Sequence, residues 1–158
     1  EGAGEILVRG KNVFIGYWNN TDATKEAFTE EGWFRTGDIA ERDAEGSYRM
    51  LGRSSVDIIK SGGYKISALE IEEVLREHPR IEECAVVGIG DEEWGERVCA
   101  AVVMSGGEST GPESLREWLK ARLAPYKVPS RIITVRELPR NPMGKVIKPE
   151  VIALFRDI

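Results

Sequence analysis

Hydrophobic and polar positions change period several times along the chain, and each change marks an expected element. Ile6-Leu7-Val8 and Val13-Phe14-Ile15 are short apolar runs separated by Gly10-Lys11-Asn12, which predicts two strands and a turn. Thr21 is placed to cap a short helix that runs to Phe28. Trp33-Phe34 then leads into Thr36-Gly37-Asp38, and Asp43-Ala44-Glu45-Gly46 predicts a turn that returns through Tyr48-Arg49-Met50-Leu51. This first stretch predicts part of an antiparallel β subdomain whose edges need more chain to cover them.

The pattern changes after Arg53. Ile58-Ile59 reads as a buried strand, and Gly62-Gly63 allows a tight turn with φ > 0. Ser67 caps the next helix, with Glu70 completing a capping box ahead of Ile71, Val74 and Leu75, and the helix stops at Pro79. Cys84 to Ile89 and Val98 to Met104 are continuous apolar runs bounded by charge, each predicting a buried strand, with Asp91 to Glu96 as their connection. Pro112 opens a helix with Leu115, Trp118, Leu119 and Leu123 on one face. Ile132 to Val135 predicts a third strand and Lys148 to Phe155 a last short helix, while Gly106 to Gly111 reads as a flexible loop. The fold class expected is α+β: an incomplete antiparallel β subdomain over 1–53, then a small α+β domain over 54–158 with a mixed sheet of three strands and helices.

Composition narrows the function classes. The chain has 158 residues, 41% of them hydrophobic and 31% charged, enough apolar material for a core and too much for a disordered chain. A net charge of -5 argues against a general nucleic-acid or anionic-membrane surface. No apolar run approaches the roughly 18 residues that a membrane helix needs, and the first residues resemble neither a signal nor a transit peptide. Cys84 and Cys99 lie in apolar runs without metal-ligand spacing, so reduced core thiols in a reducing compartment are expected and no metal site is. His78 sits at a helix end, Asn19-Asn20-Thr21 is a chance match to a glycosylation sequon, and Trp94, Tyr126 and Trp118 are expected in the core. Glu1 is no initiator, and the abrupt strand after it suggests a piece of a longer protein.

Four blocks carry the chemistry: Gly32-Trp33-Phe34-Arg35-Thr36-Gly37-Asp38, the stretch Leu51 to Ser67, Leu123-Ala124-Pro125-Tyr126-Lys127-Val128-Pro129, and Pro139-Arg140-Asn141-Pro142-Met143-Gly144-Lys145. In this order and spacing they resemble the carboxyl-terminal third of an adenylate-forming enzyme, the superfamily of acyl-CoA synthetases, peptide-synthetase adenylation domains and beetle luciferase. The resemblance runs from Gly4 to about Phe155. It implies that a carboxylic acid is activated with ATP to an acyl-adenylate and passed to CoA, with a Mg2+ site in the amino-terminal domain of the same chain. Bringing a carboxylate to a phosphate sets two anions against each other, which calls for a positioned cation. The resemblance gives that role to Lys145. It gives the ribose contact to Asp38, an assisting place at ribose or phosphate to Arg53, and a nucleotide contact to Lys60. Gly62 and Gly63, with Tyr64 and Lys65, fall at the CoA position, where only glycine lets backbone approach so closely.

The resemblance also implies a pivot between Arg53 and Asp57, by which the small domain presents the Lys145 face for adenylation and the Gly62-Gly63 face for thioester formation. The stretch from Arg53 to Glu72 is one residue longer than in many members, so Ser55, Val56 and Asp57 all stay open as the hinge. With that extra residue the segment is most similar to malonyl-CoA synthetases, which points to malonate or a related short acid. The family's phosphate loop is absent, and Pro139 stands where the first glycine of a Walker motif would fall. The segment alone is therefore expected to be inactive, and the parent enzyme to work in the cytoplasm, or in the mitochondrial matrix if a transit peptide precedes it. Two other readings stay open: an adenylation domain that loads a carrier protein, and a non-catalytic α/β binding module.

Overall fold

The computed structural model describes residues 2–107 and 111–156. The chain divides into two compact units, Glu1–Ser55 and Val56–Ile158.

The first unit is a three-stranded antiparallel sheet in the order β1 (Gly4–Val8), β2 (Phe34–Arg42), β3 (Tyr48–Arg53), with α1 (Thr21–Ala27) between β1 and β2. The expected turn joins β2 to β3: the Asp43 carboxylate accepts from the Ser47 N–H at 2.7 Å. Two expectations need correction. Val13-Phe14-Ile15 forms no strand. The backbone turns at Val13, whose N–H reaches the Gly10 carbonyl, and Phe14 packs against Tyr17, Phe28 and Phe34 at centroid distances of 5.0, 5.7 and 5.1 Å. The cap of α1 is Asn20 rather than Thr21, because its Oδ1 accepts from the Ala23 N–H at 3.0 Å. Ala40 and Gly52 are the buried residues among those described in this unit.

The second unit holds a five-stranded sheet. In chain order its elements are β4 (Ile58–Ser61), β5 (Tyr64–Ser67), α2 (Ala68–Arg76), β6 (Ile81–Asp91), β7 (Gly95–Met104), α3 (Pro112–Lys120), β8 (Arg131–Val135) and α4 (Lys148–Ala153). The strand order is β5-β4-β7-β6, with β8 parallel to β7. The sheet is mixed as expected but has five strands, not three. The Gly62-Gly63 turn closes a hairpin, with φ of +54° and +82°, instead of leading straight into a helix. Tyr64–Ser67 is thus a strand whose last residue also caps α2, the Ser67 Oγ accepting from the Glu70 N–H at 3.2 Å. The Glu70 carboxylate, expected to complete a capping box, holds Lys127 Nζ at 2.7 and 2.8 Å.

Both faces of the β6–β7 hairpin are covered, which is why its strands read as unbroken apolar runs. Val86, Ala100 and Val102 face Ile71 and Leu75 of α2 and Leu115 and Leu119 of α3. Their neighbours Ala85, Val87, Cys99 and Ala101 face Leu138, Val151 and Phe155 on the α4 side. Leu123 lies beyond the end of α3 yet stays buried. Cys84 and Cys99 are free and buried. Burial pushes the Cys84 thiol up to about 11 and that of Cys99 in the same direction. Part of the expected loop over Gly106 to Gly111, residues 108–110, lies outside the described residues.

Candidate functional site

In the first unit the chemistry gathers at the start of β2. Gly37 has φ of +75°, and its N–H donates to the Glu5 carboxylate at 3.1 Å. Thr36 Oγ1 donates to the Ile6 carbonyl at 2.8 Å and accepts from the Asp38 N–H at 3.0 Å. These contacts fix the Asp38 backbone. Across the ladder Asp38 faces Arg53, whose Nε lies 3.2 Å from Oδ1. One carboxylate oxygen is engaged by a cation while the side chain stays 32% exposed, so the group is oriented and still able to accept hydrogen bonds. The structure therefore brings Asp38 and Arg53 together.

In the second unit Lys145 sits on a tightly tied loop. Asn141 Oδ1 accepts from the N–H groups of Met143 and Lys145 at 3.0 and 2.9 Å, and the Asn141 N–H donates to the Lys145 carbonyl at 2.9 Å. Gly144 takes φ of +80° to close the turn. The Arg140 guanidinium donates to the Gly144 carbonyl and pairs with Glu83 at 2.9 Å. The loop backbone is thus held at both sides while Lys145 is exposed, with no ion pair among the described residues. A rigid base carrying an unpaired ammonium suits the binding of an anion.

Lys60 and Lys65 are cross-strand partners on β4 and β5, and both are exposed. Like charges placed directly opposite each other repel, so the pair favours an anionic partner. Between them runs the glycine turn, whose Gly62 N–H donates to the Trp94 carbonyl at 2.9 Å. A Cβ on Gly62 would meet the Trp94 ring at 2.9 Å, so this glycine is required sterically.

Beside the turn lies an open groove of about 280 Å³ lined by Tyr64, Tyr126, Trp94, Arg97 and Pro125 among others. Tyr64 stacks on Tyr126 at 4.3 Å with the rings 13° apart. Trp94 and Tyr126 are thus groove walls rather than core residues, 48% and 44% exposed. The signal was available: Trp94 follows three acidic residues in a hairpin turn, and Tyr126 stands between Pro125 and Lys127. Trp118 does pack against the core, with His78 edge-on to it at 5.1 Å. Asp91 orders the groove's far wall, accepting from the N–H groups of Trp94 and Glu93 at 3.0 Å each and pairing with Arg97. The bond from Trp94 holds the Asp91 carboxyl below its ordinary range.

Of the three hinge candidates, Ser55 closes the first unit and Val56 opens the second. Asp57 is buried in the second unit, 2.6 Å from Lys148 Nζ. No group of three or more candidate metal ligands occurs among the described residues, and no described helix is long and apolar enough to cross a membrane.

Residues 70–145 match the family model of the AMP-binding enzyme C-terminal domain. The second unit therefore contains the AMP-binding enzyme C-terminal domain. The chain is 54% identical over 153 residues to the mitochondrial malonate–CoA ligase ACSF3 of Mus musculus, a match over 96% of this chain and 26% of that protein. A malonate–CoA ligase of Arabidopsis thaliana is 47% identical, over 95% of this chain and 26% of its own. Among solved structures, ATP-bound MatB of Rhodopseudomonas palustris superposes with a TM-score of 0.89 at 36% identity, covering 99% of this chain and 31% of that one. The chain thus spans about a quarter of the length of the curated relatives it matches.

Proposed function

We propose that the protein carrying this segment is an AMP-forming acid–CoA ligase that activates malonate with ATP and transfers the malonyl group to CoA. In this reading the first unit ends the large amino-terminal domain, and the second is the mobile carboxyl-terminal domain. The observation that carries the reading is Lys145, an unpaired ammonium on a loop locked by Asn141, Gly144 and Arg140. Such a cation offsets the repulsion between a carboxylate and the α-phosphate it attacks, and its fixed base means that little reorganisation is needed at the moment of reaction.

Asp38, oriented by Arg53, accepts hydrogen bonds from the ribose hydroxyls of the nucleotide. Lys60 and Lys65 supply positive charge beside the glycine turn. The groove of Tyr64, Trp94 and Tyr126 gives CoA an apolar bed that ends at Gly62-Gly63, where backbone rather than side chain borders the path of the thiol arm. ATP and CoA are thus the cosubstrates, and Mg2+ belongs to the amino-terminal domain. The likeness to malonate–CoA ligases supports malonate as the acid. The mitochondrial relatives support a mitochondrial location.

The test is pyrophosphate release by the full-length protein with ATP, CoA and a panel of malonate, methylmalonate, acetate and a medium-chain fatty acid. Malonate-dependent turnover is expected, falling about 10²- to 10³-fold in Lys145→Ala, the loss typical of a single electrostatic donor at a reacting centre. Turnover on a different acid alone would replace the substrate and keep the chemistry. Silence across the panel would overturn the enzymatic reading.

A further inference from the structure

One buried charge cluster in the second unit has no part in the chemistry above. Lys148, the first residue of α4, places Nζ 2.6 Å from Asp57 Oδ1 and 3.0 Å from Glu72 Oε1, and none of the three side chains is more than 14% exposed. Glu72 also accepts the Val86 N–H at 2.9 Å and pairs with Arg76 at 3.2 Å. Asp57 is held a second way, its carbonyl accepting from the Ala68 N–H at 2.7 Å. The charges come from three separate places: the end of the joint, α2 and α4.

Buried ion pairs repay their desolvation only when the geometry is well satisfied, so a cluster like this fixes one arrangement more than it adds stability. What it fixes is informative. Lys148 stands three residues after Lys145, just beyond the point where the Ile147 N–H and the Pro139 carbonyl close the Lys145 loop at 2.9 Å. Asp57 directly follows Ser54-Ser55-Val56. One ammonium therefore ties the last residue of the joint to the base of the loop that carries Lys145.

We propose that Lys148 is a positioning residue that locks Asp57 into the second unit, confines the pivot to Ser54–Val56 and sets the joint's register against the Lys145 loop. The inference rests on the two-step ligase reading given above. It removes Asp57 from the hinge candidates and makes it the fixed end of the pivot. Losing Lys148 removes the ammonium 2.6 Å from the Asp57 carboxylate, which weakens that residue's hold on the second unit and lengthens the mobile joint. The same loss loosens the start of α4, behind Lys145. The step that depends on Lys145 should suffer more than the step that depends on the glycine turn.

The experiment uses the full-length enzyme and separates the half-reactions. Adenylation is followed by malonate-dependent exchange of pyrophosphate into ATP, and thioester formation by CoA consumption from supplied malonyl-adenylate. Lys148→Met is expected to slow adenylation about ten- to hundredfold, the cost of misplacing a reacting group by an ångström or so. Thioester formation stays within about threefold of wild type and Lys148→Arg restores adenylation, since the guanidinium can span the same two carboxylates. In a Lys145→Ala background Lys148→Met adds little, because residues that act as a unit are non-additive. Equal loss in both half-reactions, multiplicative loss in the Lys145→Ala background, or no loss would each overturn the proposal.

Should Lys148→Met fail to fold, Asp57→Asn is tested in its place. It keeps shape and weakens the pair, and unchanged adenylation in it would count against the lock. Hydrogen exchange supplies a readout that needs no activity. The Ala68 amide, bonded to Asp57, should be protected in wild type and exchange at least about tenfold faster in Lys148→Met, as expected for local opening. A wild type silent in both assays but protected at Ala68 would sink the ligase reading while leaving the lock in place. An Ala68 amide as fast as the amides of Ser54–Val56 would sink the lock itself.

Discussion

The two units use their apolar residues in opposite ways. In the first, large side chains are plentiful and open to solvent: Trp18 is 96% exposed, Ile15 fully so, and Tyr48 68%. In the second, helices seal both faces of a β hairpin, and Ile71, Leu75, Leu119 and Val151 are shut off from water. Yet each holds a candidate functional group at a comparable level of order, Asp38 through Thr36 and Arg53, Lys145 through Asn141 and Arg140. Local hydrogen bonds around a glycine are enough to shape a binding group. A core is needed to keep that shape when the surroundings change.

The comparison breaks most directly by cutting the chain. Residues 56–158 alone are expected to unfold in one cooperative urea transition, and residues 1–55 alone to show none, by far-ultraviolet circular dichroism. A three-stranded sheet with so little buried surface lacks the apolar face that independent stability needs. A cooperative transition in 1–55 would show that the aromatic cluster around Phe14 suffices as a core. Thiol labelling offers a check in the uncut chain. Both cysteines lie in the second unit and their thiols are shifted upward by burial, Cys84 to about 11. A thiol reagent at pH 8 should react only as fast as that unit opens.

Much of the second unit was legible in sequence because burial on two faces writes an unbroken apolar run, as at Cys84 to Ile89. What was missed follows from short elements and from partners distant in the chain. Tyr64–Ser67 has four residues, two exposed and two buried, and becomes a strand only because Gly62-Gly63 turns it back onto β4. Val13-Phe14-Ile15 has strand-forming residues, but Phe14 is held by ring contacts to Phe28 and Phe34 rather than by a strand ladder. At the candidate site, only the Gly62-Gly63 turn was legible locally, while Lys145 and Asp38 were singled out by the family resemblance of the blocks that hold them. The polar neighbours of Trp94 and Tyr126 in the chain signal exposure, but these groove walls meet Tyr64 only through tertiary packing, so no local pattern joined the three rings.

Smaller substitutions sharpen the contrast. Leu75→Ala should cost about 2–5 kcal/mol in the urea midpoint analysis, whereas Leu7→Ala, 39% exposed in the first unit, should stay within about 0.5 kcal/mol. Similar costs at the two sites would erase the distinction drawn between the units. Gly63→Ala has open space for its Cβ but must keep φ near +82°, so it should lose roughly 1–2 kcal/mol by strain alone.

The smallest effect concerns His78, whose pKa is lowered by partial burial and then by Arg80 and Arg122. The folded state binds its proton less readily than the unfolded one. That stability is therefore present above the ordinary histidine range and fades as pH falls through it. Between pH 7.5 and 5.5 wild type should lose slightly more melting temperature than His78→Gln, and identical losses would assign the acid sensitivity elsewhere.

The two-sided hairpin also sets the order in which the molecule can be finished on a ribosome. β6 and β7 pair with each other across a short turn, so they can form as soon as Met104 has emerged. The face made by Ala85, Val87, Cys99 and Ala101 must then wait for Leu138, Val151 and Phe155, at least thirty residues later. At about 5–20 residues per second of synthesis, that face stays bare for seconds. This places the chain's greatest exposure to mispairing and chaperone capture in the interval before α4 arrives.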